Sequence, residues 1–433
     1  MNEVTAGIVG LFLLMGLFLT GIEVGFAMAI IGFIGFSYIV SFEAALNLLA
    51  TDVFETFSSY SLTVIPLFIL MGQIAFNAGI ARRLYGMAYK LIGFIPGGLA
   101  IATVAGATAF KAICGSSPAT TATFASIAVP EMDKYGYSRK LSTGVVAVVG
   151  TLGILIPPSV TLIILGLVTE QSIGRLFLAG LIPGLIIALF YAIIIIGWCK
   201  INPSLGPKGE KYSWKEKIAS LPEGLWVIVI FLVTMGGLLK GFFTPTEAGS
   251  VGTFAVLLLC IFKRDIGFKG YLKSIREALR TACMCLVLLA GSVIMGHFLA
   301  VSKIPILAAD WISQLPLNPY IIMILICIVY EIGGSFIEDL AFMILATPVF
   351  FPTVIKLGFD PIWFCIIICI VVMIGEVIPP VASLVFIVKN ITKEPLGVIY
   401  RGVVPFLLGP FICTILLFLF PQIALYLPSI FMK

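Results

Sequence analysis

Apolar runs long enough to cross a bilayer as helices follow one another from residue 4 to residue 427, with polar residues confined to short stretches between them. Hydrocarbon offers no water to backbone N–H and C=O groups, so only helices and closed barrels can span it. Barrel strands alternate apolar and polar residues over about ten positions, and this chain shows no such alternation. The pattern specifies an all-α polytopic membrane protein. The composition agrees, with 61% hydrophobic and 11% charged residues, against about a quarter charged in soluble domains. No Lys or Arg precedes the first apolar run, so 4–20 reads as a retained helix rather than a cleaved signal. The nine cysteines are scattered without zinc or redox-motif spacing and read as small buried apolar residues. The net charge of +5 is a topology signal, not a nucleic-acid signal.

Full spans are expected near 4–20, 25–42 and 61–79, followed by a basic amphipathic stretch at 80–93. The region 97–133 is too long for one span and is broken by CGSSPATT at 114–121. A span at 139–168 is interrupted by GTLGILIPPS, and 176–199 follows. The second part has spans near 224–243 and 246–262, a basic amphipathic stretch at 263–280 and a span at 281–301. The region 318–355, an interrupted span at 360–391 and a last span at 403–427 close it. This divides the chain into N-terminal scaffold helices (1–60), a first repeat (61–199), a cytoplasmic linker (200–222), further scaffold helices (223–262) and a second repeat (263–433).

The two parts are related by an offset of 222 residues. Between 130–184 and 352–406 that offset pairs Pro130 with Pro352, Gly136 with Gly358, Gly153 with Gly375, and Pro157-Pro158 with Pro379-Pro380. It also pairs Gly180 with Gly402 and Pro183 with Pro405. Chance supplies roughly one such Gly or Pro identity at ordinary abundances. An offset of 224 matches Met71-Gly72-Gln73 with Met295-Gly296-His297, so small insertions separate the copies. Repeats with Gly/Pro-broken segments at corresponding places are a transporter signature.

Each arm of 97–133 has about 15–17 residues, slightly short for a span. The segment therefore reads as a re-entrant hairpin with its tip at mid-depth, and 318–355 reads as its inverted partner with the tip at GGSFIED, 333–339. The segments 82–90, 134–140, 200–217, 263–280 and 389–401 then share one face and hold 20 of the 26 Lys and Arg. The positive-inside rule makes that face cytoplasmic and the N-terminus periplasmic. Full-crossing pairs preserve the same parity, so charge supports the orientation, and arm length and tip chemistry support re-entrance.

A helix that stops inside the membrane exposes N–H groups at one end and C=O groups at the other. Freed carbonyls and hydroxyl oxygens suit a hard cation such as Na⁺, and the positive ends suit a carboxylate. One Na⁺ site is expected at Ser116, Ser117, Gly150, Thr151, Gly153 and Pro157. A second is expected at Gly333, Gly334, Ser335, Asp339, Gly375, Glu376 and Pro379. An anionic substrate is expected around Lys111, Ser116, Pro118, Thr120 and Ser159. The alternative for the Gly and Ser residues is helix packing. The intramembrane charges Lys111, Glu331, Glu338, Asp339 and Glu376 are functional candidates. Lys111 either attracts the substrate or pairs with a carboxylate. His297, the single histidine, is expected to face a helix partner rather than relay protons. The basic 263–280 stretch is expected to lie on the inner leaflet and brace the scaffold. No GxxxxGK[ST], HExxH or GxSxG occurs, which argues against ATP hydrolysis by this chain and against a membrane enzyme.

At GSSPATTATFASIAVPEMDKYGY, GTLGILIPPS and RLFLAGLIPG, and again at the second Pro-Pro and the final LGVIYRGVVPF, the chain resembles the large membrane subunit of TRAP transporters, the tripartite ATP-independent periplasmic transporters. The resemblance implies an inverted-repeat, elevator-type fold with two re-entrant hairpins and two broken helices. It implies two partners: a small four-helix membrane subunit, expected here as a separate chain, and a soluble periplasmic substrate-binding protein. It implies Na⁺-driven import of an organic anion such as a C4-dicarboxylate, sialic acid or another sugar acid, with no cofactor beyond the coupling ion. The ion sites fall on the residues given above. Glu376-Val377-Ile378 departs from the small or apolar residue and Thr that family members often carry before the second Pro-Pro, a departure that bears on ion coupling. The other readings are a stand-alone sodium- or proton-coupled dicarboxylate or citrate transporter of the same wider fold, and a channel or membrane scaffold.

Overall fold

The computed structural model describes residues 2–432, and among these it is helical with no strand. The first half comprises α1 (Glu3–Phe18), α2 (Val24–Ile39), α3 (Phe42–Ser58), α4 (Val64–Asn77) and α5 (Ile80–Ile92). It continues with α6 (Gly98–Lys111), α7 (Ser117–Lys134), α8 (Arg139–Thr151), α9 (Val160–Val168) and α10 (Ile173–Ile201). The second half comprises α11 (Trp214–Leu239), α12 (Pro245–Lys263), α13 (Phe268–Val301), α14 (Ile304–Ser313), α15 (Pro319–Phe336) and α16 (Asp339–Lys356). It ends with α17 (Pro361–Gly375), α18 (Ser383–Thr392), α19 (Leu396–Val403), α20 (Leu408–Leu419) and α21 (Gln422–Phe431). Eight helical stretches among the described residues are long and apolar enough to cross a membrane.

The helix bounds carry the repeat further than the sequence identities do. Moving α7 by 222 residues reproduces the bounds of α16, and moving α2 places it inside α12. The same shift lays α5 on α14, α6 on α15, α8 on α17, α9 on α18 and α10 on α19–α20 within a few residues, and lays α1 on the C-terminal part of the longer α11. Gly136 and Gly358 end the equivalent helices α7 and α16 with φ of +72° and +83°, a conformation that glycine adopts without steric cost. Where α3 and α4 are separate, their twin is the single helix α13 of 34 residues.

Several sequence expectations change. The amphipathic stretch 263–280 and the span 281–301 are one helix rather than two, because no Gly or Pro interrupts 271–290. At about 1.5 Å per residue it is roughly 51 Å long, against about 30 Å of hydrocarbon. The stretch 42–58, not read as a helix, forms α3, capped by Ser41, whose hydroxyl accepts from the Ala44 N–H. The linker is shorter than 200–222, because the Ser213/Glu216 capping box starts α11 at Trp214. The final span is divided at Phe420-Pro421, and Gln422–Phe431 is a separate helix. The tip expected at 333–339 narrows to Ile337-Glu338, since Gly333, Gly334 and Ser335 lie in the last turn of α15.

The halves interlock. α2 packs on α13 and α12 on α4, an exchange of equivalent surfaces. α7 packs on α18 and α16 on α9, so the hairpin of each half rests on the broken helix of the other. α8 crosses α19 at Gly144, where an added β-carbon would lie 2.7 Å from the Gly402 Cα and 2.5 Å from its carbonyl oxygen. α17 is apolar on every side and buried from Ile362 to Met373, as expected for a helix with no solvent face. At the rim, Arg83 of α5 holds Asp265 in a two-pronged ion pair, 2.5 and 2.7 Å, and also contacts Glu223 at 3.2 Å. That cluster ties α5 to α11 and to the loop between α12 and α13.

Candidate functional site

The first hairpin turns at 112–116. Ser116 is the N-cap of α7, its hydroxyl accepting from the Ala119 N–H at 3.3 Å. Its carbonyl accepts from the Thr120 hydroxyl at 3.0 Å and from the Lys111 ammonium at 2.8 Å. The tip lies on the break of its own half. Gly115 has no side chain because a β-carbon there would come within 2.6 Å of the Pro158 carbonyl oxygen. The break runs from the end of α8, through a 3₁₀ turn at Leu152–Ile154, to the start of α9. Ser159 caps α9, accepting from Leu162 N–H at 3.3 Å and donating to the Ile154 carbonyl at 2.7 Å. Residues 151–160 are all buried.

The second hairpin rests on its break in the same way. Gly375, the last residue of α17, lies so close to α15 that a β-carbon would be 2.9 Å from the Gly334 carbonyl carbon and 3.1 Å from the Ser335 nitrogen. Val381 N–H donates to the Ser335 carbonyl at 3.1 Å. Leu384 N–H closes the break onto the Glu376 carbonyl at 3.3 Å. Since α17 has 15 residues and stops at this contact, the hairpin tip lies beside a helix end rather than beyond the bundle. α6, with 14 residues, rises about 21 Å and also stops short of a full crossing. The two junctions differ in exposure: Pro157 and Pro158 are buried, whereas Pro379 and Pro380 are exposed.

The residues named from sequence separate into groups. Lys111, Ser116 and Gly153 come together, since a β-carbon on Gly153 would strike the Lys111 ammonium. Gly150 is equally constrained, because a β-carbon would strike the Thr121 hydroxyl. Thr121 was not singled out from sequence. Its Oγ1 is buried and has no hydrogen-bond partner among the described residues, and the Gly150 it faces was the signal for it. Thr151 turns away, donating to the Val148 carbonyl at 2.8 Å with the Tyr191 hydroxyl 3.5 Å off. Thr120 and Ser159 spend their hydroxyls on local backbone, Ser117 is buried, and Pro118 is exposed. In the second half Gly334, Ser335, Gly375, Asp339 and Glu376 converge, with Asp339 within hydrogen-bonding reach of Glu376. Gly333 does not join them; its missing side chain admits the Phe342 ring, so its role is arm packing.

Charge links the two junctions. Glu376 is 5% exposed, its Oε2 has no hydrogen-bond partner among the described residues, and it lies within electrostatic range of Lys111 of the other half. The remaining charged candidates lie elsewhere. Glu331 borders an apolar groove of about 970 Å³ between α15, α17 and α20. Glu338 is exposed at the tip of the second hairpin. His297 lies 3.4 Å from the Asp52 carboxylate on α3, away from both junctions. The nine cysteines are free thiols, and the described residues contain no cluster suited to a transition metal.

Na⁺ can be tested against this geometry. At the second junction a buried carboxylate oxygen without a partner, the neighbouring Asp339 and the end of α17 provide the oxygen atoms a hard cation takes. At the first junction the space between Gly153 and the Ser116 carbonyl is filled by the Lys111 ammonium, and the residues do not fit a metal ion as they stand.

Comparison with known proteins agrees with this architecture. The family model described as tripartite ATP-independent periplasmic transporter, DctM component, matches residues 11–423. The C4-dicarboxylate TRAP transporter large permease protein DctM of Pseudomonas aeruginosa is 36% identical over 382 residues, covering 88% of this chain and 89% of that protein. The sialic acid TRAP transporter large permease protein SiaM of Vibrio cholerae is 29% identical over 421 residues, covering 96% and 97%. Among solved structures, the Alcanivorax borkumensis YdaH transporter has a similar fold, with a TM-score of 0.67 at 12% identity over 88% of this chain and 89% of that one.

Proposed function

The chain belongs to the DctM family, the large membrane component of tripartite ATP-independent periplasmic transporters, and from that premise we propose that it couples import of a small organic anion to entry of Na⁺. The family membership makes it a transporter permease rather than an enzyme, an integral protein of the bacterial inner membrane. It works in a three-part system with a small permease and a periplasmic binding protein.

The observation that carries the ion-coupled reading is the pair of junctions. Each sets the end of a hairpin against the broken end of a helix, with a buried carboxylate, Glu376, at the second. Helix N-termini at α7, α9, α16 and α18 suit the carboxylate of a substrate. The carboxylate of Glu376 suits a cation. The anion is of the kind the relatives carry in their names, a C4-dicarboxylate or sialic acid, or another sugar acid. The two hairpins and two broken helices form the mobile body of an elevator, moving against the paired helices α2–α13 and α4–α12. The N-terminus lies in the periplasm, a reading supported by the concentration of Lys and Arg in the segments assigned to the opposite face.

Reconstitution into proteoliposomes with the small subunit tests the proposal. Labelled C4-dicarboxylates, sialic acid and sugar acids are offered with and without an inward Na⁺ gradient and with and without the binding protein. Uptake that requires both is the expected result. Uptake with Na⁺ alone would replace it with a stand-alone carrier, and uptake indifferent to Na⁺ would remove the coupling ion.

A further inference from the structure

Lys111 has no exposed surface, and a buried lysine inside a membrane protein is retained for a reason. It stands on the last turn of α6, and its side chain folds back beneath the tip of its own hairpin. The ammonium donates to the Ser116 carbonyl at 2.8 Å. Across from that carbonyl is Gly153, where a β-carbon would collide with Nζ and lie 2.8 Å from Cε. The break after α8 therefore has a cradle, shaped by a missing side chain, with a cation seated in it. Glu376, from the other half, is the carboxylate within electrostatic range of it.

The second half keeps the glycine at the break but has no lysine, and its Gly375 is met by the backbone of Gly334 and Ser335 instead. The offset of 222 sets Gly333 at the position of Lys111 and Gly375 at the position of Gly153. No side chain can reach from Gly333 toward the second break. There, Glu376 keeps a buried oxygen without a hydrogen-bond partner among the described residues. One junction thus contains a covalently attached cation, and its twin contains a buried carboxylate oxygen without a hydrogen-bond partner among the described residues.

We propose that the Lys111 ammonium is a tethered cation that stands in for a sodium ion at the first junction, leaving this chain to bind sodium at the second junction alone. The proposal rests on the ion-coupled reading above, but makes a separate claim about number. A tethered charge moves with the hairpin in both directions and never dissociates. It holds the tip closed on the break as a bound ion would, and it draws nothing from the sodium gradient. Each transport cycle then moves one sodium ion fewer than a carrier with both junctions open to sodium.

The test needs no knowledge of the substrate. Equilibrium binding of radioactive Na⁺ is measured on the full chain purified with its small subunit, as wild type and as Lys111→Ala. The alanine variant removes the tether and empties the cradle, and about one additional Na⁺ per chain is expected. Lys111→Met removes the charge but keeps the volume, and no additional Na⁺ is expected. Lys111→Ser empties the same space with a residue that donates an oxygen, and it carries the count if the alanine variant does not purify as a monodisperse species. Equal, non-zero counts in wild type and the emptied variants overturn the tethered-cation proposal while leaving sodium coupling intact. Binding in the emptied variants but none in wild type supports the proposal and removes sodium coupling from the native chain. No binding in any of them overturns both.

Discussion

Replacing Gly144 by alanine tests whether the two halves are held at the distance the structure gives them. The added β-carbon would lie 2.5 Å from the Gly402 carbonyl oxygen and 2.7 Å from the Gly402 Cα, where ordinary contact begins near 3.4 Å. The obstacle is backbone on a packed helix, so no side-chain rotation relieves it. α8 and α19 must part by about 0.7–0.9 Å, or one must shift along the other. Overpacking of this kind costs about 1–3 kcal/mol, and the better helix propensity of alanine returns about 0.8–1.0 kcal/mol. A net loss of roughly 0–2 kcal/mol is expected, and about 1–3 kcal/mol relative to an alanine that meets no neighbour. Gly236 on α11 has no atom within 4 Å of an added β-carbon, so Gly236→Ala is the matched control and should be neutral or stabilising. Unfolding by SDS titration in mixed micelles, followed by tryptophan fluorescence, reads the difference. Gly402→Ala separates the same helices, since its β-carbon would strike the Lys140 carbonyl. Once the helices have parted for one alanine the second costs less, so the double variant should lose less than the sum of the singles. A Gly144→Ala variant as stable as Gly236→Ala, or additive losses in the double variant, would refute the crossing.

Trp363→Phe removes the indole N–H that donates to the Leu417 carbonyl at 2.8 Å and joins α17 to α20; a loss of about 1–2 kcal/mol is expected in the same titration. Ser159→Ala removes the cap of α9 and the bond to the Ile154 carbonyl; a loss of about 1 kcal/mol should accompany weakened Na⁺-dependent uptake, and unchanged values of both would count against a role for the first break. Residues 1–206 expressed alone should stay protease-sensitive, and co-expression with 207–433 should restore protection; a protected half-chain would show that the halves do not depend on each other.

Much of this architecture was legible because membrane burial makes glycine and proline informative. Gly153, Gly375 and the two Pro-Pro pairs located the breaks. What sequence missed has physical causes. The helix α3 is amphipathic with three acidic residues and has no span-like signal, although its twin is the start of α13. The unity of α13 was hidden because its first turns are basic and its later turns apolar, which reads as two elements although nothing breaks the backbone. Gly333 and Ser335 read as a loop because glycine and serine favour turns, yet α15 carries them helically against Phe342 and the end of α17. Lys111 was visible as an intramembrane charge, but only three-dimensional contact shows it entering the space that Gly153 leaves.

The exchange of surfaces between halves has a consequence for how the chain is made. Gly144 emerges from the ribosome 258 residues before Gly402. At about 5–20 residues per second, that is a wait of roughly 13 to 52 s. Throughout it, α7 and α8 sit in the bilayer without α18 and α19, with Lys111 lacking Glu376 as its counter-charge. The nascent first half must therefore be sheltered by the insertion machinery or by lipid headgroups until its other half arrives, and the point of greatest risk in biogenesis is the middle of translation rather than its end.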